Sequence, residues 1–222
     1  MNKKVVAIIP IKSRSERVKD KNFRLLNNVP LYENFLNKLK KCDFDEIYVD
    51  TDSLTIKNYC LKNDLGVIDR LDNLSKDDAN GNDLLTYHSS IIDADYYFQL
   101  FITAPLLTTS TINNCISFIL KNNQFDSIFT ATEIYSWFWY KNKPVNYNPK
   151  ELPRSQNAIP VIRETTGLYG IKKSSLLNHK CRIGTNPYNY IVDDIEAVDL
   201  DTEFDFDVAE YYLKNLKNSN DY

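Results

Sequence analysis

Val5-Val6-Ala7-Ile8-Ile9, running into Pro10-Ile11-Lys12-Ser13-Arg14-Ser15-Glu16-Arg17-Val18-Lys19-Asp20-Lys21-Asn22-Phe23-Arg24, is the stretch that decides the fold. An unbroken apolar run of this length predicts a strand covered on both faces, as in a parallel sheet. The loop after it lies where an open α/β sheet places its ligand crevice. Between positions 12 and 24 stand six basic residues against two acidic ones, in a chain whose net charge is −3. Positive charge beside backbone amides and short hydroxyl side chains suits a polyphosphate. The loop contains no glycine, so it is neither a dinucleotide fingerprint nor a Walker A loop. A solvated charged loop would have the same composition.

Outward from this stretch, apolar runs alternate with amphipathic ones. Strands are expected over 46–49, 65–68 and 96–101. Helices are expected from Pro30, with Leu31, Phe35, Leu36 and Leu39 inward, and after the capping residue Ser53. Two more are expected over 81–92 and from near Ser110. This alternation predicts an α/β fold with a three-layer, Rossmann-like, mostly parallel sheet. Beyond Asp126 a strand over 127–134 gives way to an aromatic, proline-containing stretch read as a hairpin arm around 134–166. Strands over 167–172 and 195–200 then precede a final helix, with Thr202 and Asp205 at capping-box spacing and Phe206, Ala209, Leu213 and Leu216 inward.

The chain of 222 residues has 43% hydrophobic and 26% charged residues, the balance of one globular domain over 1–222. Its slight negative charge gives no field for nucleic acid or an anionic membrane. No run approaches the ~20 apolar residues of a membrane span, and the first strand is too short for a signal peptide. A cytoplasmic location is therefore expected. Cys42, Cys60, Cys115 and Cys181 show no metal-ligand spacing and are read as reduced and structural. With only two histidines, His88 and His179, a serine triad or multi-histidine zinc site is not expected. At helical spacing with Leu84, Leu85 and Ile92, His88 reads as a core residue.

Ala197-Val198-Asp199-Leu200-Asp201-Thr202 carries the second chemical signal. In a strand, residues two apart share a side, so Asp199 and Asp201 would project together while Val198 and Leu200 face the core. Such a pair could hold a magnesium ion bridging phosphate oxygens. Helix-dipole preference accounts for Glu203 and Asp205 but poorly for Asp199.

Taken in order, these segments resemble the acylneuraminate cytidylyltransferase family, with the CMP-Kdo synthetases as more distant relatives. Residues 9–17 with Lys21-Asn22 resemble its I-P-A-R-x-G-S-K loop, and Val49-Asp50-Thr51-Asp52 its V-S-T-D strand end. Arg70 with Asp78-Ala79, and Thr103-Ala104-Pro105-Leu106-Leu107, resemble R-P…D-x-A and T-S-P-L-R. Arg154-Ser155-Gln156 resembles R-x-Q, residues 164–169 E-N-G-A-I-Y, and residues 195–201 with Asp205-Phe206 the terminal E-A-x-D-I-D…D-F. The resemblance implies a fold of the nucleotide-diphospho-sugar transferase type and transfer of CMP from CTP to an acidic sugar or related small acidic acceptor. It implies a triphosphate site made by Lys12, Arg17 and Lys21, with Ser15 and Asn22 positioning. Arg70 and Asn80 would lie near the nucleotide, magnesium on Asp199 and Asp201, and Arg154, Gln156 and Arg163 near the acceptor. Asp201 is a candidate base. A homodimer is implied, with an arm carrying Trp137, Phe138 and Trp139 reaching the partner; ordinary core is the competing reading of those aromatics.

The departures from the pattern are Lys12 for arginine, Arg14 for glycine, Glu16 for lysine, Phe101 for the glutamine that reads cytosine, and Leu107 for arginine. Gln99, two residues before Phe101 on the same strand, is the expected substitute reader. Two alternatives stay open: a non-catalytic nucleotide-binding homologue and a metal-dependent glycosyltransferase.

Overall fold

The computed structural model describes residues 3–15, 18–76 and 79–215. In chain order it runs β1 (Val5–Ile11), a ribbon of β2 (Leu25–Leu26) and β3 (Val29–Pro30), α1 (Leu31–Leu39), β4 (Glu46–Thr51), α2 (Leu54–Lys62), β5 (Gly66–Asp69) and α3 (Gly81–Ile91). It continues through β6 (Tyr96–Leu100), α4 (Thr109–Lys121), β7 (Ser127–Ile134) and a second ribbon of β8 (Trp139–Tyr140) and β9 (Lys143–Pro144). Then come β10 (Val161–Lys172), α5 (Lys173–His179), β11 (Pro187–Ile191) and α6 (Glu203–Asn215).

Apolarity on both faces puts β1 inside the sheet. Val5, Ala7, Ile9 and Ile11 join one core with α1, α2, α4 and α6, while Val6 and Ile8 join a second with Leu85 of α3 and Leu176 of α5. The seven strands lie in the order β11-β7-β10-β6-β1-β4-β5, giving the expected three layers. β1 is parallel to β4 and β6, whereas β10 is antiparallel to both β6 and β7. Ser53 Oγ accepts from Ile56 N as the helix cap, and Thr202 and Asp205 form the reciprocal hydrogen bonds of a capping box. Cys60, Cys115 and His88 are fully buried.

Two expectations are corrected, and two elements were not anticipated. Residues 195–200 form a turn and an irregular segment with no ladder partner: Leu200 N donates to Thr103 O, but the edge of β7 is taken by β11. β11 was hidden because it is half-exposed throughout and begins with proline, as befits an edge strand. β10 starts at Val161, so the arm is shorter than its aromatic composition suggested, and α5 was not anticipated. Leu216 lies outside the described residues.

Candidate active site

The loop leaving β1 is fixed to its neighbour β4. Ser13 donates through N and Oγ to Asp52 Oδ1 and Oδ2, at 2.6 and 2.7 Å. Burial pushes the Asp52 carboxyl up, but these two hydrogen bonds outweigh it and hold the group below the ordinary carboxylate range. Asn22 Nδ2 donates to Lys12 O at 2.7 Å, drawing the far end of the loop back to its start. Lys12 and Ser15 are half-buried beside it. Arg17, with Glu16, lies outside the described residues, as does Asp78.

Lys21 is directed across the loop. Its ammonium is buried, donates to Leu200 O, and stands 3.6 Å from Asp201 Oδ1. Arg24 follows, reaching both carboxylate oxygens of Glu203 at 2.6 Å and covering the Phe206 ring. Thus the basic loop and the acidic segment form one unit.

Beside that unit is a cavity of about 510 Å³ whose lining includes Arg163, Glu164, Thr166, Asp194, Asp199 and Asp201. The two aspartates converge although they are not in a strand: a tight turn, with Asp201 N donating to Asp199 O at 3.1 Å, brings them together. Asp199 Oδ2 accepts from Thr166 Oγ1 at 2.9 Å, while its buried Oδ1 has no hydrogen-bond partner among the described residues. Thr166 sits at φ 59°, a conformation costly for a β-branched residue, within the register shift of β10. A buried carboxylate oxygen left without a donor suits a hard cation. No cluster of three or more His, Cys, Asp or Glu side chains placed for a metal occurs among the described residues. The cavity thus presents two carboxylates, one with a buried oxygen that accepts no hydrogen bond among the described residues.

Arg163 shares this cavity, whereas Arg154 and Gln156 are exposed on the arm and do not line it. Asn80 accepts from Asn82 N and Asp83 N as the cap of α3. Arg70 is directed inward: Nε and Nη2 contact the Asp50 carboxylate at 3.0–3.2 Å, and both side chains are 1% exposed. His88 Nε2 approaches the same carboxylate at 3.1 Å. Burial raises the Asp50 pKa, but the hydrogen bonds from His88 and Arg70 prevail and hold it below the ordinary value. Gln99 is wholly buried and engaged at both ends, donating to Gly81 O at 3.0 Å and accepting from Arg182 at 3.4 Å. Gln99, the expected base reader, thus uses one N–H on Gly81 and one oxygen lone pair on Arg182. Leu107, at the arginine position, is fully buried.

Sequence reasoning missed Thr166, Glu164 and Arg182. Only the register shift brings the first two to the cavity, and Arg182 reaches β6 from a loop more than 80 residues away in sequence.

A basic loop at the end of a central parallel strand, closed by a carboxylate pair, on a mixed sheet covered by helices on both sides, describes an α/β fold of nucleotidyltransferase type. The chain belongs to the cytidylyltransferase family, whose model matches residues 6–203. It is 24% identical to an N-acylneuraminate cytidylyltransferase of Streptococcus agalactiae over 91% of this chain and 52% of that protein. It is 23% identical to the post-translational flagellin modification protein B of Campylobacter coli over 95% of each. The chain therefore spans about half the length of the first of these relatives. In fold it is similar to CMP:2-keto-3-deoxy-manno-octonic acid synthetase complexed with CTP (TM-score 0.73, 14% identity, 96% of this chain and 100% of that one). A 4-diphosphocytidyl-2C-methyl-D-erythritol synthase from Anaerococcus prevotii is also similar (TM-score 0.64, 14% identity, 96% and 97%).

Proposed function

We propose that this chain transfers CMP from CTP to a small acidic acceptor, a nonulosonic or Kdo-like acid, with release of pyrophosphate. The observation carrying the proposal is the convergence of Lys21 with Asp199 and Asp201 at the mouth of the loop that follows β1. An acceptor oxygen attacks the α-phosphorus, a new P–O bond forms, and the α–β phosphoanhydride bond breaks. Positioning and charge neutralisation supply most of the rate in such transfers. Lys12, Arg17 and Lys21 bind the triphosphate and stabilise the departing pyrophosphate, with Ser15 and Asn22 shaping the loop. Asp199 and Asp201 are the residues that would hold magnesium, which when bound neutralises phosphate charge. Asp201 accepts the acceptor's proton. Arg163 faces the acceptor from within the cavity. Asn80, Arg70 and Gln99 act from behind the nucleotide through the α3 cap and the buried Asp50 network, and Arg154 and Gln156 act from the arm.

The same proposal includes a homodimer and a cytoplasmic location. Trp137, Trp139, Tyr140 and Val145 are 42–67% exposed on the arm, an apolar surface that a second copy would cover. The four cysteines are unpaired, which accords with a reducing compartment. Among the described residues, no helix is long and apolar enough to cross a membrane.

The deciding experiment follows pyrophosphate release from each of the four nucleoside triphosphates with magnesium and a panel of acidic sugars, with Asp199→Ala as control. Release that requires CTP, one acceptor and Asp199 supports the proposal. CTP binding with no turnover on any acceptor would make the chain a non-catalytic homologue. Transfer of a sugar without pyrophosphate would make it a glycosyltransferase.

A further inference from the structure

Arg182 is held by an aromatic stack and by hydrogen bonds to two neighbouring elements. Its guanidinium carbon lies 3.6 Å from the centre of the Tyr169 ring and 5.7 Å from that of Phe101. One N–H reaches Gln99 Oε1, and the backbone N donates to Asn82 Oδ1 at 2.9 Å. Its loop is anchored by Asp126, which accepts from Thr185 N and Asn186 N, and by Ser127 Oγ, which accepts from Gly184 N. The guanidinium packs against Gly81, where a Cβ would stand 2.6 Å from Arg182 Nη1 and would make the side chain shift. A planar fork stacked on an aromatic ring and held at one corner keeps its other donors in a fixed direction.

The strand order gives that direction a meaning. The basic loop leaves β1, and Asp52 and Arg70 lie on the β4–β5 side of it; Phe101, just past the end of β6, and Tyr169 of β10 lie on the other side. Tyr169 links Arg182 to the acidic cavity, because its hydroxyl donates to Glu164 Oε2 at 2.7 Å and Glu164 lines that cavity. Burial and then this bond push the Tyr169 hydroxyl well above the ordinary phenol range, Asp199 adding to the rise and Arg182 opposing it, so the ring feels both groups. An acidic acceptor approaching Asp194, Asp199 and Asp201 meets negative charge, which Arg163 in the cavity and Arg182 behind Tyr169 are placed to offset. Phe101 offers no hydrogen bond, so recognition beside it must come from charge and shape.

We infer that Arg182, stacked on Tyr169 beside Phe101, is the specificity-determining residue that receives the acceptor's carboxylate. This deepens the proposed CMP transfer and rests on it.

The test measures pyrophosphate release with saturating CTP for wild type, Arg182→Gln and Arg182→Lys. The acceptor probes are N-acetylneuraminate, 2-keto-3-deoxy-manno-octonate and the methyl ester of whichever acid turns over. Loss of a charge-assisted fork should raise the acceptor KM of Arg182→Gln about 10- to 100-fold, with the CTP KM moving less than about twofold. The wild type should prefer acid to ester, and Arg182→Gln should not; Arg182→Lys should recover part of the preference. An unchanged acceptor KM, a parallel rise in the CTP KM, or unfolding of both variants in a thermal melt would each overturn the inference, the last by making Arg182 a packing residue. A wild type that releases no pyrophosphate with any acceptor would overturn the parent reading, and the inference with it. Wild-type turnover with an indifferent Arg182→Gln would overturn the inference alone.

Discussion

Replacing Asp50 by asparagine should cost more stability than any other isosteric change in this protein. The carboxylate is 1% exposed and meets Arg70 through Nε at 3.1 and 3.2 Å and Nη2 at 3.0 Å, with His88 Nε2 at 3.1 Å. Asparagine keeps one acceptor but turns an NH2 group towards donors, and it leaves a guanidinium buried without its counter-charge. A lost charged hydrogen bond costs about 1.5–3 kcal/mol. Stranding the partner charge raises the expected total to about 3–5 kcal/mol. Against a domain stability of about 5–15 kcal/mol this is a large share. Urea titration followed by circular dichroism, with m unchanged, would read it as a lowered midpoint. The double variant Asp50→Leu/Arg70→Met should recover much of the loss, because it removes both charges together. The folded Asp50 pKa lies below its unfolded value. Its stabilisation is therefore present above the unfolded pKa and disappears as pH falls through the folded one. A loss below about 1 kcal/mol for Asp50→Asn, or a double variant no better than the single, would refute the reasoning.

Thr166→Val should leave Asp199 Oδ2 without its donor and lower turnover about tenfold. Thr166→Gly should be as slow yet more stable by about 1 kcal/mol, since glycine tolerates φ 59°; equal melting temperatures would count against a strained Thr166. Burial lowers the Lys38 pKa to about 7, so between pH 7 and its unfolded value the unfolded chain binds the extra proton. Wild type should therefore gain stability relative to Lys38→Met as pH rises through that range, and a pH-independent difference in denaturant titrations would contradict the shift. Trp139→Glu, on the exposed arm, should convert a dimer to a monomer in sedimentation while the thermal midpoint of the monomer stays within a few degrees; an unchanged assembly would remove the arm from the interface.

The sheet was legible where burial was two-sided. Val5 to Ile9 read as a buried interior strand, and Ser53 and Thr202 announced their helices by local chemistry. Legibility failed where an element borrowed its regularity from a neighbour. Residues 195–200 alternate like a strand because Leu200 packs inward from an irregular segment, while β11 shows no such alternation because β7 alone organises it. In the candidate site, the aspartate pair was visible from spacing, although the turn that makes the pair converge was not. Asn80 and Arg70 came from the resemblance alone, and their partners Asp83 and Asp50 decide where they point. Arg182 had no local signature, because everything that fixes it comes from β6, α3 and β10.

Lys21 with Leu200, and Arg24 with Glu203, each join residues 179 positions apart. During synthesis the loop behind β1 leaves the ribosome early, yet its fastening waits for residues 200 and 203. Until then Lys21 has neither its carbonyl nor its aspartate, and the loop lacks the wall that gives it shape. A chain that stopped just before residue 200 would thus carry every strand of the central sheet while the loop behind β1 stayed unfastened.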